Sequence, residues 1–275
     1  MNATNNPEHD APAMSLPIKL ISTDFDGTIF AEFEQPPISE KLLSLIARLQ
    51  ARGAKWVINT GRDMTSLREA LTKARVSARP DYLVLVEREM HARDGEGFVG
   101  LEPWNEQCQR AHDALFARVL PDVPRLTRWI HDRFRATIYE DPYSPFCLIA
   151  GDPRDAEVIH RYLAEYCAGV PDLALMCNDV YARFSHAAYN KGTALAELTR
   201  RLGFGPAEVF AAGDHLNDLP MLSRDFAHWL ASPHNAIPPV KAAVRAQQGR
   251  VSSLCEGHGV AEALMFFLAG TELKL

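Results

Sequence analysis

From Ile18 to Val86 the chain alternates short, β-branched apolar runs with segments of helical spacing. Ile18 to Thr23, Lys55 to Asn59 (KWVIN) and Tyr82 to Val86 (YLVLV) read as buried strands. Between the first two, Leu42, Leu45, Ile46 and Leu49 share one helical face, with Ser39 as the expected N-cap and Gly53 where the helix should end. A second helix is expected from about Met64 to Ala74. This order predicts a parallel sheet with right-handed crossovers. The rhythm resumes at Lys191 with a helix (TALAELTRRLG), a strand from Glu208 to Ala212, a further helix from about Leu219, a strand near Phe226–Leu230 and a closing helix from Val260 to Ala269. The fold expected is α/β, a Rossmann-like parallel sheet core.

The stretch between the two halves breaks the rhythm. Residues 87–186 hold Gly- and Asp-rich turns, helical spacing near 105–119 and 154–168, and strand-like pieces at Ala136–Tyr139, Phe146–Ile149, Leu173–Met176 and Val180–Phe184. They read as an inserted α+β domain. Residues 16–86 and 187–275 then form the core domain, and residues 1–15 a disordered polar tail without the basic start and apolar run of a signal peptide. A net charge of -6 argues against a nucleic-acid or anionic-membrane surface. The five cysteines are widely spaced and form no CxxC, which fits a reducing compartment better than a disulfide framework or a zinc site. No apolar run reaches the ~18 residues of a membrane helix.

Several strands end in polar residues: Asp24 and Asp26 after the first, Thr60 after the second, Asp214 and Asp218 after the strand at Glu208–Ala212. In an open parallel sheet the carboxyl ends share one edge, and ligands bind there. Four carboxylates in one cleft repel each other unless a cation is present. A set of oxygens without His or Cys suits a hard cation, Mg²⁺ in the first place, which keeps positions open for phosphate oxygens. Lys191 adds positive charge at a helix start. Thr60 and the N–H groups around Gly27 and Gly61 add donors. These are the parts needed to bind and stabilise a transferring phosphoryl group. One carboxylate of DFD can serve as nucleophile and the other as acid and base. Taken singly, each element has a plainer reading: DFDG as a turn, Asp218 as an N-cap before Leu219-Pro220, Lys191 as a surface lysine.

Asp24-Phe25-Asp26-Gly27-Thr28 resembles the first motif, DxDGT, of the haloacid dehalogenase-like superfamily. Thr60 in INTGR, Lys191 in NKGTAL and Gly213-Asp214-His215-Leu216-Asn217-Asp218 resemble its second, third and fourth motifs, in family order. The insert lies between the second and third motifs, as in the type IIB, Cof-like branch, whose α/β cap covers the site. SPHNAIPPVKAAV and GHGVAEAL are similar to that branch, and PDYLVLVEREMH with Trp104 to its sucrose-phosphate phosphatase group. Where the branch often has Asn-Gly, this chain has Glu87-Arg88-Glu89.

The resemblance implies an α/β cap at 87–186 and the following roles. Asp24 is the nucleophile. Asp26 is the acid/base and gives a carbonyl to Mg²⁺. Asp214 and Asp218 complete the metal set. Asp24, Gly27, Thr28, Thr60, Gly61, Lys191 and Asn217 surround the phosphoryl group. Arg62, Arg88, Glu89 and Arg183 are candidates for contact with the substrate. The activity implied is a cytoplasmic, Mg²⁺-dependent phosphatase of a small phosphorylated metabolite, a sugar phosphate foremost, acting through an aspartyl-phosphate. The alternatives are a phosphomutase of the same branch and a non-catalytic binding or regulatory protein on the same scaffold.

Overall fold

The computed structural model describes residues 16–74, 76 and 78–269; the tail expected at residues 1–15 lies outside them. β1 (Leu20–Thr23), α1 (Glu40–Gln50), β2 (Lys55–Asn59), α2 (Met64–Lys73) and β3 (Tyr82–Leu85) follow one another as the sequence rhythm predicts. β4 (Glu89–Asp94) and β5 (Gly97–Gly100) come next, then α3 (Trp104–Val119), α4 (Val123–His131), β6 (Ala136–Asp141), β7 (Ser144–Ala150), α5 (Pro153–Ala168), β8 (Leu173–Asn178) and β9 (Tyr181–His186). The chain ends with α6 (Lys191–Leu202), β10 (Val209–Ala212), β11 (Trp229–Ser232), α7 (Pro238–Ala246), β12 (Arg250–Val251) and α8 (Glu256–Leu268).

One sheet runs in the order β12-β11-β10-β1-β2-β3-β4-β5 and is parallel from β12 to β3. β1 lies between the two halves of the chain: Leu20 pairs with Lys55 on one side and Val209 on the other. The connections therefore diverge at β1/β10, the switch point at which open α/β sheets bind ligands. α1 and α8 cover one face through Leu42, Ile46, Val260 and Leu264, while α6 and α7 cover the other through Leu195, Leu198, Val240 and Val244. The second sheet, β6-β7-β9-β8, is antiparallel. Its inner face, with Phe146 and Phe184 stacked at 4.7 Å, packs against Leu115, Ile130, Ile159 and Leu163 of α3, α4 and α5.

Several expectations are corrected. Residues 89–100 fall inside the stretch expected to be inserted, yet β4 pairs antiparallel with β3 and β5 with β4, so both extend the first sheet. The chain reverses at Val86 and Glu87, both in the left-handed region (φ 45 and 67). No glycine or asparagine announces that turn. Ser39 does not cap α1; its hydroxyl meets His258 Nδ1 at 3.1 Å. The helix expected from Leu219 is absent. A single 3-10 turn, Leu216–Asp218, stands in that region, and the strand after it begins at Trp229. α7 starts on Pro238-Pro239, a pair tolerated in a first helical turn because the missing N–H groups would have no partner there.

Candidate functional site

Asp24 leaves β1 with its N–H still donating to Ala212 O (2.9 Å), so the β1/β10 ladder carries the side chain to the sheet edge. The chain then turns at Gly27, whose φ is +72 and whose absent Cβ would lie 2.6 Å from Asp214 Oδ2. Glycine is required there twice over, for the backbone and for the approach of Asp214. Thr28 Oγ1 donates to Asp214 Oδ1 at 2.7 Å.

α6 delivers the lysine. Asn190 Oδ1 accepts from Gly192 N (2.9 Å) and Thr193 N (3.1 Å), and Asn190 N donates to Thr193 Oγ1 (3.0 Å), a reciprocal cap that fixes where the helix begins. Gly192 lets the first turn close on the loop after Asp218, since a Cβ would sit 2.3 Å from Pro220 O. Lys191, fully buried, donates through Nζ to Asp24 Oδ1 (2.5 Å) and Asp218 Oδ1 (2.6 Å). Asp218 is satisfied on its other oxygen as well: Oδ2 accepts from Asp214 N (2.8 Å) and His215 N (2.9 Å). It closes its own loop rather than capping a following helix.

Asp24, Asp214 and Asp218 offer oxygens all within 4.8 Å of one another. Burial, then Asp218 and then Asp214 push the Asp24 carboxyl well above the usual carboxylate range, against the pull of Lys191. Burial and Asp218 raise Asp214 to about 7. One ammonium is too little positive charge for three clustered carboxylates, two of them buried. Raised acids on an all-oxygen donor set fit a hard divalent cation, which would be held foremost by Asp24 and Asp214. The Asp26 side chain stands outside this cluster, in a two-point pair with Arg62 (Nε to Oδ2 2.7 Å, Nη2 to Oδ1 2.6 Å).

A cavity of about 170 Å³ lies above, floored by Asp24, Asp26, Thr60, Gly61 and Arg62 and roofed by Asn178, Tyr181 and Arg183 from β8 and β9. Thr60 Oγ1 accepts from Arg62 N at 3.1 Å, so its own hydrogen stays available to a ligand. Arg183 and Asn217 line the cavity as well. Arg88 and Glu89 do not. Arg88 turns away to donate to Tyr143 O (2.8 Å), and Glu89 sits on β4 beside His91. Glu87 and Tyr181 line the cavity without having been singled out for it. Glu87 had a readable signal, an acid two residues after a parallel strand. Tyr181 had none, because the face a strand residue presents depends on a register the sequence does not state.

A family model described as haloacid dehalogenase-like hydrolase matches residues 21–85 and 132–264. The HMP-PP phosphatase of Escherichia fergusonii is 25% identical over 247 residues, 82% of this chain and 87% of that protein. The 5-amino-6-(5-phospho-D-ribitylamino)uracil phosphatase YcsE of Bacillus subtilis is 26% identical over 219 residues, 74% of this chain and 80% of its own length. Among solved structures, the sucrose-phosphatase from Synechocystis sp. PCC6803, in complex with sucrose and phosphate, superposes with a TM-score of 0.68 at 18% identity, covering 90% of this chain and 97% of the other.

Proposed function

The chain belongs to the haloacid dehalogenase-like hydrolase family, and from that premise we propose that it is a Mg²⁺-dependent phosphatase of a small phosphorylated metabolite, a sugar phosphate foremost, acting through an aspartyl-phosphate on Asp24. One observation carries the reading: the Asp24 carboxylate, gripped by Lys191 at 2.5 Å, opens into the cavity beneath Arg183 and Tyr181. The relatives named as phosphatases support it.

Asp24 attacks phosphorus and the ester oxygen leaves, taking a proton from Asp26. Asp26 then deprotonates the water that attacks the aspartyl-phosphate, and inorganic phosphate departs. Lys191 and the Thr60 hydroxyl meet the phosphoryl oxygens. Asp24, the Asp26 carbonyl and Asp214 would hold Mg²⁺, which would supply positive charge against the phosphoryl oxygens. Arg62 holds both Asp26 oxygens at the cavity floor, so one of these two bonds opens when Asp26 carries the proton. The proposal expects Arg62→Met to lower kcat by about 10- to 100-fold, with a smaller change in KM, because it loosens the acid/base rather than the phosphate contacts. Steady-state kinetics checks this; an unchanged kcat contradicts it.

The cavity is small beside the roughly 300–1,000 Å³ of common ligand sites, and the residues named around it are almost all polar, which favours a compact, hydroxyl-rich leaving group. Among the described residues all five cysteines are free thiols, in keeping with the reducing cytoplasm, and no described helix is long and apolar enough to cross a membrane. The test is phosphate release from a panel of sugar and metabolite phosphates, with Mg²⁺ and with EDTA. Mg²⁺-dependent release supports the proposal. Isomerised sugar phosphate without free phosphate would replace it with a mutase, and tight binding without turnover with a binding protein.

A further inference from the structure

Glu87 stands where the chain is most contorted and where the cap meets the core. Val86 and Glu87 are consecutive non-glycine residues in the left-handed region (φ 45 and 67), and one of them is β-branched. Such backbone persists only where the surroundings impose it. Here Val86 N donates to Arg62 O (3.0 Å), Glu87 N to Thr60 O (2.9 Å), and Arg183 Nη2, arriving from β9, to Val86 O (2.7 Å). The contortion carries the Glu87 carboxylate into the gap between three elements. Oε1 accepts from Asn217 Nδ2 at 2.8 Å, in the loop that holds Asp214 and Asp218, and Oε2 lies 3.4 Å from Arg183 Nη2.

We propose that Glu87 is a positioning residue that ties the cation-binding loop to the seating of the cap. The proposal rests on the reading of Asp24 and Asp214 as a Mg²⁺ site. Arg183 and Glu87 are 4% and 7% exposed, so solvent screens their attraction weakly. One carboxylate answers two donors, one from each side of the cleft. By taking the Asn217 N–H, Glu87 also fixes which way that amide faces. Asn217 Oδ1 is left buried without a partner among the described residues, an acceptor in the loop between the two aspartates. Losing Arg183 frees Glu87, and freeing Glu87 releases the amide and the loop. A cap residue outside the carboxylate cluster thereby sets the affinity of that cluster, and by reciprocity the bound cation holds the cap down.

The test is calorimetric titration of the full-length chain with Mg²⁺, as wild type, Glu87→Gln, Arg183→Met and the double variant. Each single change is expected to weaken Mg²⁺ binding by about 5-fold or more. Arg183→Met is expected to add almost nothing once Glu87→Gln is present, because its effect travels through Glu87. Wild-type affinity in Arg183→Met, or effects that multiply in the double variant, overturns the proposal. Should a lone buried charge prevent a single variant from folding, as circular dichroism would show, the double variant has neither charge and is read against wild type; unchanged affinity there also overturns it. A wild type that binds Mg²⁺ but releases no phosphate defeats the phosphatase reading and leaves this coupling standing. A wild type that releases phosphate while the variants bind Mg²⁺ unchanged defeats the coupling alone.

Discussion

Asp24→Asn is expected to cut phosphate release by roughly 10³-fold or more, because an amide cannot form the acyl phosphate that the two half-reactions share. The substitution keeps size and shape at a buried position, and Lys191 retains Asp218 at 2.6 Å as a partner. The loss should therefore come without unfolding. The metal-free variant should in fact melt no lower than wild type at neutral pH. Burial and the neighbouring aspartates raise Asp24 above the ordinary carboxylate range, which means that its ionised form works against the fold. Calorimetric melting beside steady-state kinetics checks both halves. Activity within tenfold of wild type would move the nucleophile elsewhere, and a collapse in melting temperature would make the lost activity uninformative.

Removal of the metal is the second large effect. EDTA should reduce turnover to background, and Mg²⁺ should raise the melting temperature in a pH-dependent way. Asp214 goes from an ordinary 3.8 to about 7 in the metal-free fold. Between those values the folded chain holds a proton that the unfolded chain has lost, so metal-free stability falls as pH rises from about 4 to about 7 and levels beyond. Mg²⁺ must displace that proton. Asp214 should make the affinity rise by up to about tenfold per pH unit below 7, and Asp24, raised as well, should add to that rise. The thermal shift on adding Mg²⁺ should accordingly be larger at pH 8 than at pH 5.5. An affinity constant across that range would show that Asp214 gives up no proton to the cation.

The groups of this chemistry were readable because parallel strands deliver their ends to one edge. Asp24, Thr60 and Asp214 follow apolar runs that could hardly be anything but buried strands, and Asn190-Lys191 opens a helix with an ordinary capping residue. What escaped the sequence depends on contacts rather than on local pattern. The β3–β4 reversal uses left-handed Val86 and Glu87, residues with no preference for it, so β4 and β5 were read into the inserted stretch. Asp218 was open to reading as a helix cap because its partners, the N–H groups of Asp214 and His215, precede it. Arg88 and Glu89 neighbour Glu87 in sequence, but the same reversal points them away from the cavity. Tyr181 and Arg183 reach it because one face of an antiparallel sheet looks down on Asp24, and the choice of face is settled by register against β7 and β8.

The central place of β1 has a consequence for how the chain is made. Its partner on one side, β2, emerges soon after it, but β10 follows the whole intervening stretch, about 190 residues later, which at roughly 5–20 residues per second takes about 10–40 s. Through that interval the strand that ends as the middle of the sheet is an open edge, with Leu20 and Ile21 awaiting Val209 and Phe210. Meanwhile the cap can assemble around its own aromatic pair, Phe146 and Phe184. The lid can thus assemble before the vessel it covers can close.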